Sequence, residues 1–340
     1  MRRIVWIWMM LCAMCLQAQT VTNVVARQVG NTVEISYDLD MASTVSLLLS
    51  QDGGATYSAT PKTITGDIGQ TSAGHKKMVW SLLSDGTDWD IAKARFKVVS
   101  QKPDKLTFKL KGISFVMIPV EGGTYTMGGT SEQESDEEYD KPTHLVTLSS
   151  FYIGQTEVTQ GLWQAVMETN PSMFKNGNNY PVESVSWNDC QLFIGILNSL
   201  LSDQLAGKRF ALPTEAQWEY AARGGKMSNH YKYSGSNTLD IVAWYKDNSG
   251  ETTHLVATKA PNELDIYDMT GNVREWCLDW YGNYSSSSQT NPKGPSTGTT
   301  YYIHRGGSCL YYGRYCNVSR RGWNESKYTG EGHGLRLVLQ

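Results

Sequence analysis

The first hundred residues of the chain alternate between apolar and polar side chains in short runs. Alternation with a period of two over about four to eight residues is typical of strands that bury one face. Residues 52–54, Asp-Gly-Gly, form a turn signal between two such runs. The predicted strands are residues 24–29, 32–37, 44–49 and 94–99. No helix-length period interrupts them, so we predict an immunoglobulin-like β-sandwich over residues 20–101, followed by a charged linker at residues 102–112.

The apolar period changes after residue 113. Three helix starts carry capping residues: Thr159 before residues 160–168, Ser186 with Asp189 before a longer helix, and Thr214 with Gln217 before a helix that ends at the glycines 224–225. The longer helix is predicted to turn residues 192, 193, 196, 197, 200 and 201 inward. Elsewhere glycine, tryptophan and tyrosine are dense without a regular period. We therefore predict an α+β fold, with a loop-rich second domain over residues 113–340.

Residues 1–19 have the composition of an export signal. Arg2 and Arg3 precede an apolar run over residues 4–16, and Ala18 is a small residue suited to cleavage. This run is too short to span a bilayer comfortably, and no other stretch is apolar enough. We therefore predict a protein without a membrane span that is exported, to the periplasm, the cell surface or the medium.

The charge balance argues against one large class of partner. Thirty basic and 33 acidic residues give a net charge of −3, and no basic patch or stripe is visible. Nucleic-acid-binding domains are typically basic on one face. We therefore exclude nucleic acid as a partner and expect a protein or peptide instead.

Four cysteines remain once the signal is removed: Cys190, Cys277, Cys309 and Cys316. In an oxidising compartment they allow up to two disulfides, and spacing does not decide the pairing. Buried free thiols with one bridge and a reactive pair both remain open. The six histidines form no His-x-x-x-His pair, so a zinc site of the usual kind lacks ligands.

An ordered series of motifs resembles the formylglycine-generating enzymes, also called sulfatase-modifying factors. In chain order these are residues 115–119 (Phe-Val-Met-Ile-Pro), 156–159 (Thr-Glu-Val-Thr), 181–187 (Pro-Val-Glu-Ser-Val-Ser-Trp), 212–224 (Leu-Pro-Thr-Glu-Ala-Gln-Trp-Glu-Tyr-Ala-Ala-Arg-Gly), 271–276 (Gly-Asn-Val-Arg-Glu-Trp), 305–308 (Arg-Gly-Gly-Ser) and 334–339 (Gly-Leu-Arg-Leu-Val-Leu). The resemblance implies the C-type-lectin-like fold of that family, which has little regular secondary structure. One fold hosts many functions, so activity must be judged from the site.

The resemblance also implies a structural calcium ion. Carried over by position, its ligands are the side chains of Asp268 and Glu275 and the carbonyl groups of Gly271 and Val273. Hard oxygen donors on an irregular, glycine-containing loop suit Ca²⁺. The alternative is a capped turn in which Glu275 accepts from backbone amides.

A copper site is the second implication. In active members two cysteines five residues apart follow Gly-Gly-Ser and bind copper(I), where oxygen is activated to oxidise a substrate cysteine to formylglycine. Aligned on residues 306–308, the second cysteine corresponds to Cys316 and the first to Tyr311. Cys309 lies seven residues before Cys316 and is the candidate for a shifted partner. The resemblance places Ser308 in the pocket, so the catalytic candidates are Cys316, Cys309 and Ser308, with Cu⁺ as cofactor if the site is active.

Two hypotheses of different classes follow. The first is an exported protein of this kind with a degenerate copper site and a binding or structural role. The second is an active copper-dependent oxidase that uses Cys309 and Cys316 to convert a cysteine to formylglycine in sulfatase-type substrates, and a different oxidative or transferase reaction is a third possibility. The sequence favours the first, because a phenol at Tyr311 replaces one soft thiolate ligand.

Overall fold

The computed structural model describes residues 21–39, 43–71, 74–81, 95–101, 104–133, 138–298 and 300–340. The predicted export signal at residues 1–19 lies outside these ranges. The chain divides into two compact units, with the boundary between Asp104 and Lys105. Among the helices described, none is long and apolar enough to cross a bilayer.

The first unit is an all-β sandwich. Its strands are β1 (Val21–Val29), β2 (Thr32–Leu39), β3 (Ser43–Ser50), β4 (Ile64–Gly66), β5 (Gly69–Thr71), β6 (Gly74–Ser81) and β7 (Arg95–Gln101). They form two antiparallel sheets, ordered β1-β2-β6-β4 and β5-β3-β7. Alternate residues of β2, β3 and β6, such as Ile35, Leu47 and Trp80, meet in one core between the sheets. Strand β6 was not predicted, although Met78 and Trp80 alternate within it.

In its described residues, the second unit mixes short strands with four α-helices. Its strands are β8 (Leu106–Leu110), β9 (Ile113–Val120), β10 (Gly123–Met127), β11 (His144–Leu148), β12 (Phe151–Gly154), β13 (Phe210–Ala211), β14 (Arg274–Trp280), β15 (Gln289–Thr290), β16 (Tyr301–Arg305), β17 (Arg321–Glu325), β18 (His333–Gly334) and β19 (Val338–Leu339). The helices are α1 (Gln160–Met167), α2 (Trp187–Leu200), α3 (Glu215–Ala222) and α4 (Leu239–Val242). The fold is therefore α+β, as predicted.

A five-stranded sheet, ordered β13-β19-β12-β9-β8, separates two hydrophobic clusters of this unit. Neighbouring residues of a strand point to opposite faces. Met117 and Leu339 accordingly face the cluster that holds α1 and α2, whereas Ile118 and Val338 face the cluster that holds α3. The sheet ordered β17-β16-β14-β18 packs beyond α3 and carries the motifs of the C-terminal third.

The predicted caps start the helices. The Thr159 hydroxyl accepts from the Leu162 amide, and reciprocal capping boxes form at Ser186 and at Thr214. The inner face of α2 differs from the prediction, since Leu192 and Leu200 are 56% and 46% exposed. Cys190 and Ile194 are buried in their place. A helical period of 3.6 residues allows either the predicted or the observed set of residues to face inward, and packing against α1 decides between them.

The segment predicted as a linker contains strand β8. It pairs with β9 from Leu106↔Met117 to Leu110↔Ile113, and the connecting residues Lys111 and Gly112 both have positive φ, as a tight hairpin turn requires. Phe108 is 4% exposed and packs on Phe210, with ring centroids 5.0 Å apart. The charges at residues 105, 109 and 111 hid this alternation in the sequence.

Replacing Phe108 with alanine tests whether residues 106–110 belong to the core of the second unit. We expect Phe108→Ala to lower the free energy of unfolding by about 3–5 kcal/mol, because it leaves a cavity between aromatic rings. The exposed neighbour Thr107 serves as the control, and Thr107→Ala should change stability by about 0.5 kcal/mol or less. Denaturant unfolding measures both. If Phe108→Ala were as stable as Thr107→Ala, residues 106–110 would be a linker and not part of the core.

Candidate functional site

The loop after β16 brings the predicted catalytic residues against residues 270–272. Gly306 and Gly307 have φ of 97° and 73°, a backbone conformation that favours glycine. The Gly306 carbonyl accepts from the Gly271 amide at 2.8 Å. A Cβ on Gly307 would lie 2.5 Å from the Cys316 sulfur, so the loop packs tightly on that thiol. Ser308 follows and is fully buried.

Cys309 and Cys316 are both buried, and neither forms a disulfide. The Cys309 amide donates to the Asn272 carbonyl at 2.9 Å, and its carbonyl accepts from the Ser249 hydroxyl at 2.7 Å. Burial raises the pKa of each thiol to about 12. Carboxylates add to this rise at Cys309, whereas Arg274 opposes it at Cys316. At neutral pH both residues therefore carry protonated thiols in different electrostatic surroundings.

Tyr311, which the resemblance aligned with the first of the two cysteines, stacks on an arginine. The Arg274 guanidinium carbon lies 3.7 Å from the centre of the Tyr311 ring. Its Nη1 lies 3.3 Å from Nδ1 of His304, whose Nε2 is 2.8 Å from the Asn324 Oδ1. Burial lowers the pKa of His304 well below its ordinary value. The neutral ring can then donate from Nε2 to Asn324 and accept from Arg274 at Nδ1.

His333 lies beside this arrangement, in an aromatic enclosure. It is 1% exposed, and the rings of Trp276, His304 and Tyr328 surround it at centroid distances of 5.7, 4.7 and 5.2 Å. Neither ring nitrogen has a hydrogen-bond partner of acceptable geometry among the described residues. Burial lowers the pKa of His333 to about 3, so the ring is neutral. Sequence reasoning missed Arg274, His304 and His333 as one site, because no local motif joins positions 29 to 59 residues apart.

A surface of tyrosines and arginines covers the loop, and we call it the tyrosine–arginine surface. Its members are Tyr311, Tyr312, Arg314, Tyr315, Arg320 and Tyr328. Arg314 lies over the rings of Tyr312 and Tyr315, at 5.7 and 4.8 Å, and Arg320 lies 4.8 Å from the Tyr315 ring. Tyr312 and Tyr328 are 48% and 42% exposed. Such rigid, amphipathic rings interleaved with guanidinium groups are typical of protein recognition surfaces.

The donor set of this loop does not fit a linear copper(I) site. Such a site needs two soft thiolates, and a phenol stands at Tyr311. The Tyr311 ring stacks on the Arg274 guanidinium at 3.7 Å, and the Cys316 sulfur packs tightly against the loop at Gly307.

The predicted calcium ligands lie in a buried carboxylate cluster. Glu275 is fully buried and pairs with Arg336, whose Nη2 and Nε lie 2.7 and 3.0 Å from its two oxygens. Trp218 Nε1 donates to the same carboxylate at 2.6 Å. Asp268 accepts from the Ala257 amide at 2.7 Å. Glu275 therefore bonds to side chains, which differs from the capped-turn alternative.

Glu157, which the sequence did not single out as a ligand, completes this cluster. Its carboxylate accepts from the Val273 amide at 3.0 Å and from the Asn272 side chain at 2.8 Å. Burial, followed by the charges of Asp268 and Glu275, raises the pKa of Glu157 well above its ordinary value. Burial also raises the pKa of Asp268 to about 6. A cavity of about 440 Å³ within the second unit reaches Glu157.

The donor chemistry of the cluster fits a divalent cation. Three carboxylates, Glu157, Asp268 and Glu275, face one guanidinium, that of Arg336, which leaves two negative charges if all three are ionised. Oxygen donors of this kind suit Ca²⁺. In the described ranges, however, no three His, Cys, Asp or Glu side chains are already arranged around a metal position. Hydrogen bonds to amides and Arg336 hold the carboxylates in the present arrangement.

Comparison with known proteins gives a consistent result. A family described as "Sulfatase-modifying factor enzyme 1-like domain" matches residues 114–340. "Chaperone protein LppX" of Paenibacillus barcinonensis is 33% identical over 271 residues, covering 66% of this chain and 90% of that protein. The "Formylglycine-generating enzyme" of Streptomyces coelicolor is 38% identical over 178 residues, covering 47% of this chain and 52% of that enzyme. Among solved structures, "Treponema denticola variable protein 1" is similar with a TM-score of 0.63 at 33% identity, covering 70% of this chain and 99% of that one.

Removing the guanidinium of Arg336 tests the central ion pair. Arg336→Met should lower the free energy of unfolding by about 3–5 kcal/mol, because Glu275 is left as a buried charge without its partner. Arg314 lies exposed on the tyrosine–arginine surface, and Arg314→Met should change stability by about 0.5 kcal/mol or less. Denaturant unfolding at pH 7 compares the two variants. Equal stabilities would contradict the importance of the pair.

Proposed function

The chain belongs to the sulfatase-modifying factor enzyme 1-like domain family, and from this membership we propose that it is an exported binding module and not a copper oxidase. The observation that carries the proposal is at Tyr311. Its phenol stands where an active member has a thiolate and stacks on Arg274 at 3.7 Å. A phenol is a harder and poorer copper(I) ligand than a thiolate.

The remaining thiols support the same conclusion. Cys309 and Cys316 are buried, and the pKa of each is raised to about 12. A copper(I) ion would have to displace both thiol protons. Cys309 also lies seven residues before Cys316, where the family spacing is five, and this weighs against a shifted copper pair.

The tyrosine–arginine surface is the proposed contact for the partner. Tyrosine and arginine are enriched among residues that contribute most to protein binding, and their fixed stacking lowers the entropy lost on association. The relative named as a chaperone protein agrees with a partner-binding role. The partner class is a protein or peptide, for which the sulfatases of the family name are one example.

Export is part of the proposal because of the leader at residues 1–19. A charged start, an apolar stretch and a small residue near its end are the features that secretion requires. The described helices add no membrane-spanning segment to this.

Calcium is proposed as the missing positive charge of the Glu157, Asp268 and Glu275 cluster. Asp268 and Glu157 offer the carboxylates, Glu275 shares its charge with Arg336, and the Gly271 and Val273 carbonyls lie in the same loop. The ion would supply a structural charge that neutralises the cluster. This support is electrostatic: two excess negative charges in a buried site must bind protons or a cation.

The absence of oxidase activity is tested with a Cys-x-Pro-x-Arg peptide, the substrate motif that the family implies. Copper-loaded protein in air should leave the peptide mass unchanged, because the site lacks two soft thiolates. Mass spectrometry of the peptide is the readout. Conversion that disappears in both Cys309→Ser and Cys316→Ser would overturn the proposal in favour of a shifted copper pair.

Restoring the missing ligand gives the matched variant. Tyr311→Cys should gain copper(I) binding relative to wild type, measured by competition with a chromogenic chelator, because Cys316 then has a partner at the family spacing. The control Tyr312→Cys places the thiol one residue later in the chain and should gain less copper(I) binding. Equal copper binding in the wild type and Tyr311→Cys would contradict the role assigned to Tyr311.

Chelation tests the calcium ion. Removing calcium should lower Tm and its return should restore it, because a ligand that binds only the folded state stabilises that state. Glu157→Gln should reduce the effect of the chelator.

An unchanged Tm would contradict the calcium site and indicate that bound protons neutralise the carboxylate cluster. The pKa values of Glu157 and Asp268 are higher in the folded protein than in the unfolded chain, so protonation of these groups favours folding. This contribution to stability would be fully present below about pH 4. At Asp268 it would be lost as the pH rises through about 6.

A further inference from the structure

Arg274 is a largely buried arginine without a carboxylate partner. The guanidinium contacts the Tyr311 ring at 3.7 Å and the neutral His304 ring, whose Nδ1 lies 3.3 Å from Nη1. Its Nε is buried and has no hydrogen-bond partner among the described residues. No described carboxylate lies within ion-pair distance of it. The positive charge is therefore stabilised by a ring face and one neutral acceptor.

The other buried arginines of this unit are neutralised. Arg336 lies 2.7 Å from the Glu275 carboxylate, and Arg321 lies 2.7 Å from Glu215. Arg305 pairs with Glu219. A buried charge without a counter-ion is costly, so an exception within the same core indicates that the counter-ion comes from elsewhere.

Two contacts place Arg274 next to the tyrosine–arginine surface. The ring of Tyr311, a member of that surface, stacks on the guanidinium at 3.7 Å. Tyr328, another member, is 42% exposed and packs on His333, the residue paired with Arg274 across β14 and β18. The guanidinium therefore adjoins this surface.

His333 supplies a second polar group without a partner at the same place. Its backbone pairs with that of Arg274 in the parallel register of β14 and β18. Neither ring nitrogen has a hydrogen-bond partner of acceptable geometry among the described residues. A neutral ring with one N–H group therefore lies inside an enclosure of aromatic rings, on the residue paired with Arg274.

We infer that Arg274 is the receptor for a carboxylate group from an acidic segment of the partner polypeptide, an inference that rests on the proposed binding function. A planar carboxylate matches the parallel N–H donors of a guanidinium, which gives a bidentate pair. The rings of Tyr311, stacked on Arg274, and of Tyr328, packed on His333, can pack on the methylene carbons of the acidic side chain. Arg314 and Arg320 on the rim add charge for neighbouring acidic residues.

The test uses the full-length protein and a fluorescein-labelled hexaglutamate peptide, with hexaglutamine as the neutral control. Fluorescence anisotropy should show binding of hexaglutamate and none of hexaglutamine. Arg274→Gln should weaken the affinity by about tenfold or more, since a desolvated charge pair is lost. Arg27 is exposed on β1, so Arg27→Gln removes the same charge elsewhere and should bind as wild type does. Equal affinities of Arg274→Gln and Arg27→Gln would overturn the inference.

Two further variants keep the test independent of folding. Arg274→Lys retains the positive charge but lacks the paired N–H donors of a guanidinium, so its affinity for hexaglutamate should fall between those of the wild type and Arg274→Gln. Tyr328→Ala changes an exposed ring and should weaken binding several-fold while Tm stays close to that of the wild type. Wild-type affinity in both variants would overturn the inference even if Arg274→Gln failed to fold.

Inorganic phosphate separates a polypeptide carboxylate from a small anion. Phosphate should displace hexaglutamate only weakly, since it lacks the side-chain methylene groups and the neighbouring acids. If phosphate displaced hexaglutamate at a concentration that carries the same total charge as the peptide, the assignment to an acidic polypeptide would be overturned. This test and the oxidase test can fail separately. If the copper assay shows no conversion and hexaglutamate does not bind, the carboxylate site at Arg274 is rejected, but the proposed binding function is not.

Discussion

The second unit depends on the ion pair between Arg336 and Glu275. Arg336 also donates to the carbonyl groups of Gly154 and Tyr267, at 2.9 and 2.8 Å, and Trp218 donates to Glu275. These bonds join the C-terminal segment to β12, β14, α3 and the loop of the predicted calcium ligands. In an interior with so little regular backbone pairing, buried charge-assisted hydrogen bonds fix the loops in one arrangement. The closing Gly-Leu-Arg-Leu-Val-Leu motif is explained by this role.

A second buried network repeats the principle around α3. Glu215 pairs with Arg321, and Glu219 is held between Arg223 and Arg305. Three arginines thus oppose two glutamates, and the nearby carboxyl of Asp279 has its pKa raised to about 8, chiefly by burial. Each of these arginines lies within ion-pair distance of a carboxylate. Arg274 differs from them, because no carboxylate of the described residues lies within that distance of its guanidinium.

The parts of the structure predictable from the sequence are those set by local chemistry. The caps at Ser186 and Thr214 act over three residues, and the alternation in β2 and β3 reports burial directly. Strand β8 was missed because lysines flank Phe108, and the exposed side of α2 was misassigned because Leu192 has no local signal of exposure. At the site, motif order located the loop containing Tyr311, but the contacts of Arg274 join segments far apart in the chain. Such contacts depend on the tertiary fold and leave no periodic trace.

The glycines of the loop set its backbone, whereas the side chains of Tyr311 and Arg274 set its chemistry. Gly306 and Gly307 turn the loop against Gly271 through positive φ angles and the hydrogen bond between Gly271 and Gly306. With a phenol at Tyr311, an approaching ligand meets a ring face and a guanidinium in place of a soft electron-rich pair. A thiolate pair attracts a cation, whereas Arg274 attracts an anion. Under the proposed function, Tyr311 and Arg274 on β14 therefore give the loop a preference for an anion, where a thiolate pair would prefer a cation.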